Sequence, residues 1–360
     1  MKTIAGYQHA VASHCETGSL RNLLHHAGLD VSEPMIFGTG SGPTFYYLFF
    51  AKGPSTFPLV GIRNMPGHIV RNVAARCGIS IHQKQYRTTE AAFREANLLI
   101  DVGRPVAVSV DMYYMKYLPF FLRVHAPFHF VVLIGREGGT YAVSDPYSEP
   151  IGMLESEDLD AAWATGAPLS RDNFLAYVKS VPREIDWRSA ALKAIRETCR
   201  NMVFPPVVRN VLFFAGIQGM RTYARTVAAW GRKYRGHVLR EGILFNAVGF
   251  EDQGTGGAAF RLMYGSFLEE LAEKFGWSEL GELGDEMMLH GQEWQKFSRS
   301  LVKIGKKVPM KDEEYDDWHS SHGKDLDEGL RHASELFLER ARFEEAFFPR
   351  LLKAVSRLRP

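Results

Sequence analysis

The stretch "ASHCETGSLRNLLHHAGL", Ala12 to Leu29, places a cysteine where a helix begins. Leu20, Leu23, Leu24 and Ala27 recur at helical spacing and define an apolar stripe, which Gly28 ends. At ~100° per residue, Cys15 lies well off that stripe, whereas a cysteine serving only as core filler belongs within it. The first turn of a helix also offers unpaired N–H groups and the positive end of the dipole, both of which favour a thiolate. Cys15 therefore has three readings: apolar filler, metal ligand, or nucleophile. Zinc is the weakest of them. His14, His25 and His26 lie nearby, but no second cysteine stands at ligand spacing and adjacent histidines on a helix point apart.

A cysteine nucleophile needs a base, and the base needs a group to orient it. His129 opens the apolar run "HFVVLIG", and "FHFVVLIGREGGTYAVSDPYS" reads as two strands around a Gly138-Gly139 turn. With Arg136 to Gly139 as the loop, Gly135 pairs with Thr140 and His129 comes level with Pro146. Asp145 then falls within one residue of a position opposite His129, close enough for contact between Nδ1–H and carboxylate. Taken singly, His129 is an ordinary strand-end histidine and Asp145 the first residue of a "DP" corner. Together with Cys15 upstream they form a candidate triad.

The whole chain sets the frame. Its 360 residues allow one large core or two smaller ones. Hydrophobic residues make up 46% and charged residues 23%, the balance of a globular protein rather than a disordered one. A net charge of +2 with no dense Lys/Arg stripe gives no reason to expect a nucleic-acid partner. The N-terminus has no apolar core of signal-peptide length, and no run approaches the ~20 residues that span a bilayer, so no membrane partner is expected. Three widely spaced cysteines, Cys15, Cys77 and Cys199, argue against a disulfide framework and make a reducing cytoplasm the simplest compartment. Residues 1–184 mix helix and strand signals; residues 185–360 are nearly all of helical periodicity. The expected architecture is an α+β domain followed by a mainly α-helical one.

Beyond the three triad positions, several residues are candidates for binding, each with a packing alternative. Tyr113 and Tyr114 follow the strand that ends at Val110 and either line an acceptor pocket or pack. Gly40 and Gly42, in "FGTGSGP", either let backbone approach a substrate or supply turn geometry. Arg261, in the first turn after "GTGGAAF", either holds a phosphate or carboxylate at a helix N-terminus or follows a tight turn.

"HCETGSLRNLLHHAG" followed more than a hundred residues later by "HFVVLIG…YAVSDP" resembles the papain-like cysteine peptidase superfamily. More closely, those segments with "FGTGSGPTFYY" and "GRPVAVSVDMYY" resemble the N-terminal domain of the butirosin biosynthesis protein H family. "GTGGAAFRLMYGSFLEEL" resembles the helical domain that accompanies it. The resemblance implies a papain-like domain at 1–184, a helical C-terminal domain at 185–360, and Cys15, His129 and Asp145 as nucleophile, general base and orienting group. It implies an acyltransferase that moves an acyl or aminoacyl group from a carrier-protein thioester through a Cys15 thioester to a small amine. Phosphopantetheine then enters only as the arm of the acyl or peptidyl carrier protein, with no intrinsic cofactor and no metal. Papain-like enzymes place a glutamine six residues before the cysteine for the oxyanion hole; here His9 holds that position and Gln8 lies one further away. The alternative with the same triad is a cysteine hydrolase acting on a peptide, amide or thioester.

Overall fold

The structure is a computed structural model that describes residues 2–52, 57–167, 170–205, 214–252 and 254–359. The chain divides into two compact units, 1–40 with 65–190 and 41–64 with 191–360.

The first unit is α+β. Helices α1 (Cys15–His26), α2 (Glu33–Thr39), α3 (His68–Cys77), α4 (Thr89–Asp101) and α5 (Ser156–Trp163) accompany one six-stranded sheet. The order across that sheet is β3 (Ser80–Gln85), β8 (Phe174–Ser180), β4 (Val106–Val110), β5 (His129–Glu137), β6 (Thr140–Ser144) and β7 (Gly152–Glu155). Every neighbouring pair is antiparallel. Apolar clusters cover both faces of β5. Val131 and Leu133 join Ala96, Leu99 and Trp163 on one face, while Phe130, Val132 and Ile134 join Cys15 and Leu23 on the other. A strand buried on both faces must be apolar throughout, and that is why "HFVVLIG" reads as a continuous run.

Two expectations about this unit need correcting. Helix α1 is buried almost all round, from Cys15 to Leu20 and at Asn22, Leu23 and Leu24. Lying off one stripe therefore does not set Cys15 apart, because the helix has no broad solvent face to contrast with it. The hairpin turn is also tighter than expected: Glu137 pairs with Thr140 around Gly138 and Gly139, both at positive φ. The register then shifts between Leu133 and Gly135, so that Val132 lies opposite Ser144. The extra residue falls where the N-terminal segment crosses β5, with Thr3 bridging Gly135 and Ile4 N–H donating to Ile134 O. A side chain at 135 would collide with the Lys2 carbonyl.

The second unit is mainly helical. It contains the segments Gly216–Val227, Gly236–Glu251, Arg261–Phe275, Ser278–Lys307 and Tyr315–Arg357. The hairpin of β1 (Pro43–Lys52) and β2 (Pro58–Arg63) also belongs to it and pairs with β9 (Phe214–Ala215). A single division between 184 and 185 therefore misplaces residues 41–64. Phe45 and Tyr47, on one face of β1, pack edge-on against Tyr223, and Phe45 also meets Phe337. That aromatic contact holds the hairpin in the helical unit. No described helix is long and apolar enough to cross a membrane.

Arg261 lies inside this helical unit and is almost fully buried. Its guanidinium makes two hydrogen bonds of 2.9 Å to the Glu344 carboxylate and one of 2.7 Å to Ala259 O, and stacks over Trp294. Three of its N–H donors are thus taken by the protein itself, and the group is closed off from solvent. As a site for a substrate phosphate or carboxylate, Arg261 is corrected to one half of a buried ion pair. Burial alone would raise the Glu344 carboxyl, but the Arg261 charge overrides it and holds the group at about 2.

Because a buried pair broken on one side leaves an uncompensated charge, Glu344→Gln is expected to cost about 3–5 kcal/mol in urea unfolding at neutral pH. The depressed carboxyl contributes stability that is complete above its unfolded value of 4.5 and is lost as pH falls toward about 2. Equal unfolding midpoints for the two proteins at neutral pH count against this role.

Candidate active site

Cys15 is the first residue of α1, after an extended His14 whose side chain does not cap the helix. The cap comes from another helix. Glu33, at the start of α2, accepts hydrogen bonds from Ser13 N–H at 2.9 Å, His14 N–H at 2.8 Å and the Thr17 hydroxyl at 2.8 Å. Glu16 accepts from Gly67 N–H at the start of α3. These carboxylates satisfy backbone donors at two helix starts and leave the backbone around Cys15 no freedom to swing. Among the described residues the Cys15 N–H itself has no partner, as the first amide of a helix need not.

Two contacts set the distance from α1 to the sheet. Ser19, one turn after Cys15, donates its hydroxyl to Phe130 O at 3.0 Å, next to His129. Gly18 faces Pro146, where a Cβ would come within 3.0 Å of the proline ring, and Ala12 N–H donates to Pro146 O at 2.9 Å. The segment on either side of Cys15 is therefore tied to the residues beside His129 and beside Asp145.

His129 pairs with Val110 at the first position of β5, and Asp145 is the first residue after β6. Both are buried, at 2% and 0% exposure. His129 Nε2 lies 3.0 Å from each carboxylate oxygen of Asp145. The expected contact through Nδ1 is thus corrected to Nε2. With that nitrogen committed, Nδ1 is the ring nitrogen left for Cys15, whose side chain is near enough to help raise the imidazole. Tyr147 N–H donates to Asp145 Oδ1 at 2.9 Å and the Tyr117 hydroxyl to Oδ2 at 2.8 Å.

Burial disfavours the imidazolium, yet the Asp145 charge and hydrogen bond, with smaller help from Cys15, raise His129 to about 10. Burial would likewise raise Asp145, but the His129 charge and the three donors hold it below its ordinary value. Burial drives Cys77 up to about 12 and Cys199 higher still, so neither thiol ionises near neutral pH. A cysteine starting a helix that packs on an antiparallel sheet, with histidine on the facing strand and aspartate behind it, is an arrangement suited to nucleophilic cysteine chemistry.

The remaining candidates fall in several places. His9 is committed on both ring nitrogens: Nε2–H donates to Ser148 O at 2.8 Å, and Nδ1 accepts from the Ser144 hydroxyl at 2.7 Å. It has no N–H left for an oxyanion and is corrected to a strut between the N-terminal segment and the turn after Asp145. Gln8 is exposed. Tyr113 is exposed and stacks on His125 at 4.2 Å between ring centroids, while Tyr114 packs against the core. Gly40 is a packing glycine, since a Cβ there would come within 2.5 Å of Ile69. Gly42 belongs to the other unit, where its carbonyl accepts from Asn64 N–H. Among the described residues, no three His, Cys, Asp or Glu side chains converge as a metal site. Glu33, Ser19 and Tyr117 carry no motif in the sequence; only the Ser32 helix start hints that Glu33 faces backbone amides.

The pair fixes a pH dependence. The raised His129 contributes stability that is complete below its unfolded value of 6.5 and disappears as pH rises through about 10. The lowered Asp145 contributes above its unfolded value of 3.8 and loses that contribution as pH falls through its folded value. The stability advantage of wild type over Asp145→Asn, measured by denaturant unfolding at a series of pH values, is expected to be largest between 3.8 and 6.5 and to shrink toward pH 10. An advantage that stays undiminished at pH 10 contradicts the ion pair.

Residues 14–146 match the family described as butirosin biosynthesis protein H, N-terminal. Residues 157–351, more than half of the chain, match a domain of unknown function, DUF4872. No curated protein matches the chain. Among solved structures, one described as that of a C39-like peptidase from Bacillus anthracis is similar at 16% identity, over 51% of this chain and 100% of that one, with a TM-score of 0.35. The chain belongs to the family in which a butirosin biosynthesis protein H N-terminal domain is followed by a DUF4872 domain.

Proposed function

We propose that this protein is a cysteine-dependent acyltransferase of specialised metabolite biosynthesis. It takes an acyl or aminoacyl group from a carrier-protein thioester onto Cys15 and delivers it to an amine. The observation that carries this reading is the buried His129, held through Nε2 by Asp145 and near enough to Cys15 to be influenced by it, with Nδ1 the nitrogen left over. Membership of a family named for a biosynthesis protein supports it.

In the first half-reaction the Cys15 sulfur attacks the carbonyl carbon of the phosphopantetheine thioester. The tetrahedral intermediate collapses by breaking the bond to the pantetheine sulfur, which leaves with a proton from His129 Nδ1. One thioester replaces another, so no activation by nucleotide is needed. The Cys15 N–H is one donor to the intermediate's oxyanion, and Gln8, whose side chain is exposed, is the second that we propose. Acylation removes the Cys15 charge and hydrogen bond, two of the influences that raise His129. The imidazole then holds its proton less tightly at the stage where it must act as a base. In the second half-reaction the amine attacks the acyl-cysteine, His129 accepts its proton, and the Cys15 sulfur leaves. Water in place of the amine gives hydrolysis, which is the alternative activity of the same triad.

Intact-protein mass spectrometry with acyl-loaded carrier proteins tests the proposal. Wild type is expected to gain one acyl mass that is absent from Cys15→Ala, and to pass it to added amines faster than to water. Free acid as the only product across a panel of amines assigns the protein as a hydrolase instead.

A further inference from the structure

We infer that Tyr117 is a positioning residue that locks the Asp145 carboxylate for His129. The observation is one of symmetry. His129 Nε2 is 3.0 Å from both carboxylate oxygens, and each oxygen has one further donor: Tyr147 N–H at 2.9 Å on Oδ1 and the Tyr117 hydroxyl at 2.8 Å on Oδ2. The Tyr147 amide sits two residues along the same turn and moves with Asp145. Tyr117 comes from a separate part of the chain, the loop joining β4 to β5, and so fixes the carboxylate against the rest of the domain. Without its hydroxyl, the carboxylate is free to pivot about the Tyr147 bond and shift its negative charge off the Nε2 axis.

The surroundings are built to hold that hydroxyl in place. Met115 and Leu118, on either side of Tyr117, are buried in the core beneath the loop. The base of the loop is closed by Asp111, which accepts from Tyr113 N–H at 3.1 Å and Ala126 N–H at 2.9 Å and contacts His125 Nδ1 at 2.9 Å. Opposite the ring lies Gly152 of β7, where a Cβ would come within 2.7 Å of the ring atoms. The tyrosine therefore occupies space that only glycine leaves open. Burial, followed by the Asp145 charge and hydrogen bond, raises the phenol well above its ordinary range, so it stays a neutral donor at any pH the enzyme meets.

The inference rests on the Cys15–His129–Asp145 reading but not on the identity of the acyl donor or acceptor. Its test accordingly uses iodoacetamide, which alkylates an ionised Cys15 without any natural substrate. Rates are measured by mass spectrometry from pH 4 to pH 9 for wild type, Tyr117→Phe, Gly152→Ala and His129→Ala, with thermal unfolding of each. Tyr117→Phe keeps the ring and removes the hydroxyl. It is expected to move the acid limb of the profile toward neutral pH and to slow alkylation near pH 6 about tenfold, the scale of a lost hydrogen bond to a charged group. Gly152→Ala, which keeps the hydroxyl but displaces the ring, is expected to move the same limb in the same direction. A Tyr117→Phe profile superimposable on wild type overturns the inference. So does a uniform slowing at every pH with a lowered unfolding temperature, which marks a purely structural tyrosine. Wild type reacting no faster than His129→Ala overturns the triad reading itself, and the role of Tyr117 with it.

Discussion

The buried contact between His129 and Asp145 is the constraint around which the first unit is arranged. Both groups are removed from water, which disfavours each charge taken alone. In the same low-dielectric surroundings their mutual attraction is strengthened, and hydrogen bonds from Tyr117 and Tyr147 meet the remaining oxygen lone pairs. The result is an imidazole that keeps its proton well above neutral pH beside a cysteine whose two preceding residues are held by Glu33. A site prepared in this way needs little reorganisation when charge moves during the reaction.

The second unit contains another buried histidine–carboxylate contact, with the opposite result. His290 Nε2 lies 3.1 Å from Glu344, and both residues are buried, yet His290 is lowered rather than raised. Burial acts first, and the cations Arg261 and Arg340 offset part of what Glu344 supplies. Glu344 directs its charge to the Arg261 guanidinium, whereas His129 itself is the one cation among the influences on Asp145. One buried carboxylate is therefore a structural anchor for long helices, and the other leaves its histidine charged. The difference lies in a third residue brought from elsewhere in the chain, and neither histidine's own neighbourhood in the sequence reveals it.

Residue by residue, the sequence was readable where chemistry and local grammar coincide. Cys15 at a helix start, His129 opening an apolar strand, and Asp145 closing the hairpin all follow from periodicity and turn residues. The same reasoning failed where packing overrules local pattern. Counting along the hairpin missed the extra residue near Gly135, because the N-terminal segment that crosses β5 there lies more than a hundred residues away. The glycine-flanked Arg261 resembled an anion site until Glu344 came beneath it from a distant helix. His9 looked available as a donor until Ser144 and Ser148 took both nitrogens.

The sequence by itself determined the α+β and helical halves and the three residue types, in order, that nucleophilic cysteine chemistry requires, because those depend on spacings of a few residues. Tertiary structure alone decided which histidine nitrogen faces the carboxylate, that residues 41–64 join the helical unit, and that Glu33 and Tyr117 hold the reacting groups in place. Each of these depends on a buried polar atom finding its partner across a large sequence separation. Burial makes an unsatisfied atom costly wherever it falls, but only the folded chain settles which partner arrives.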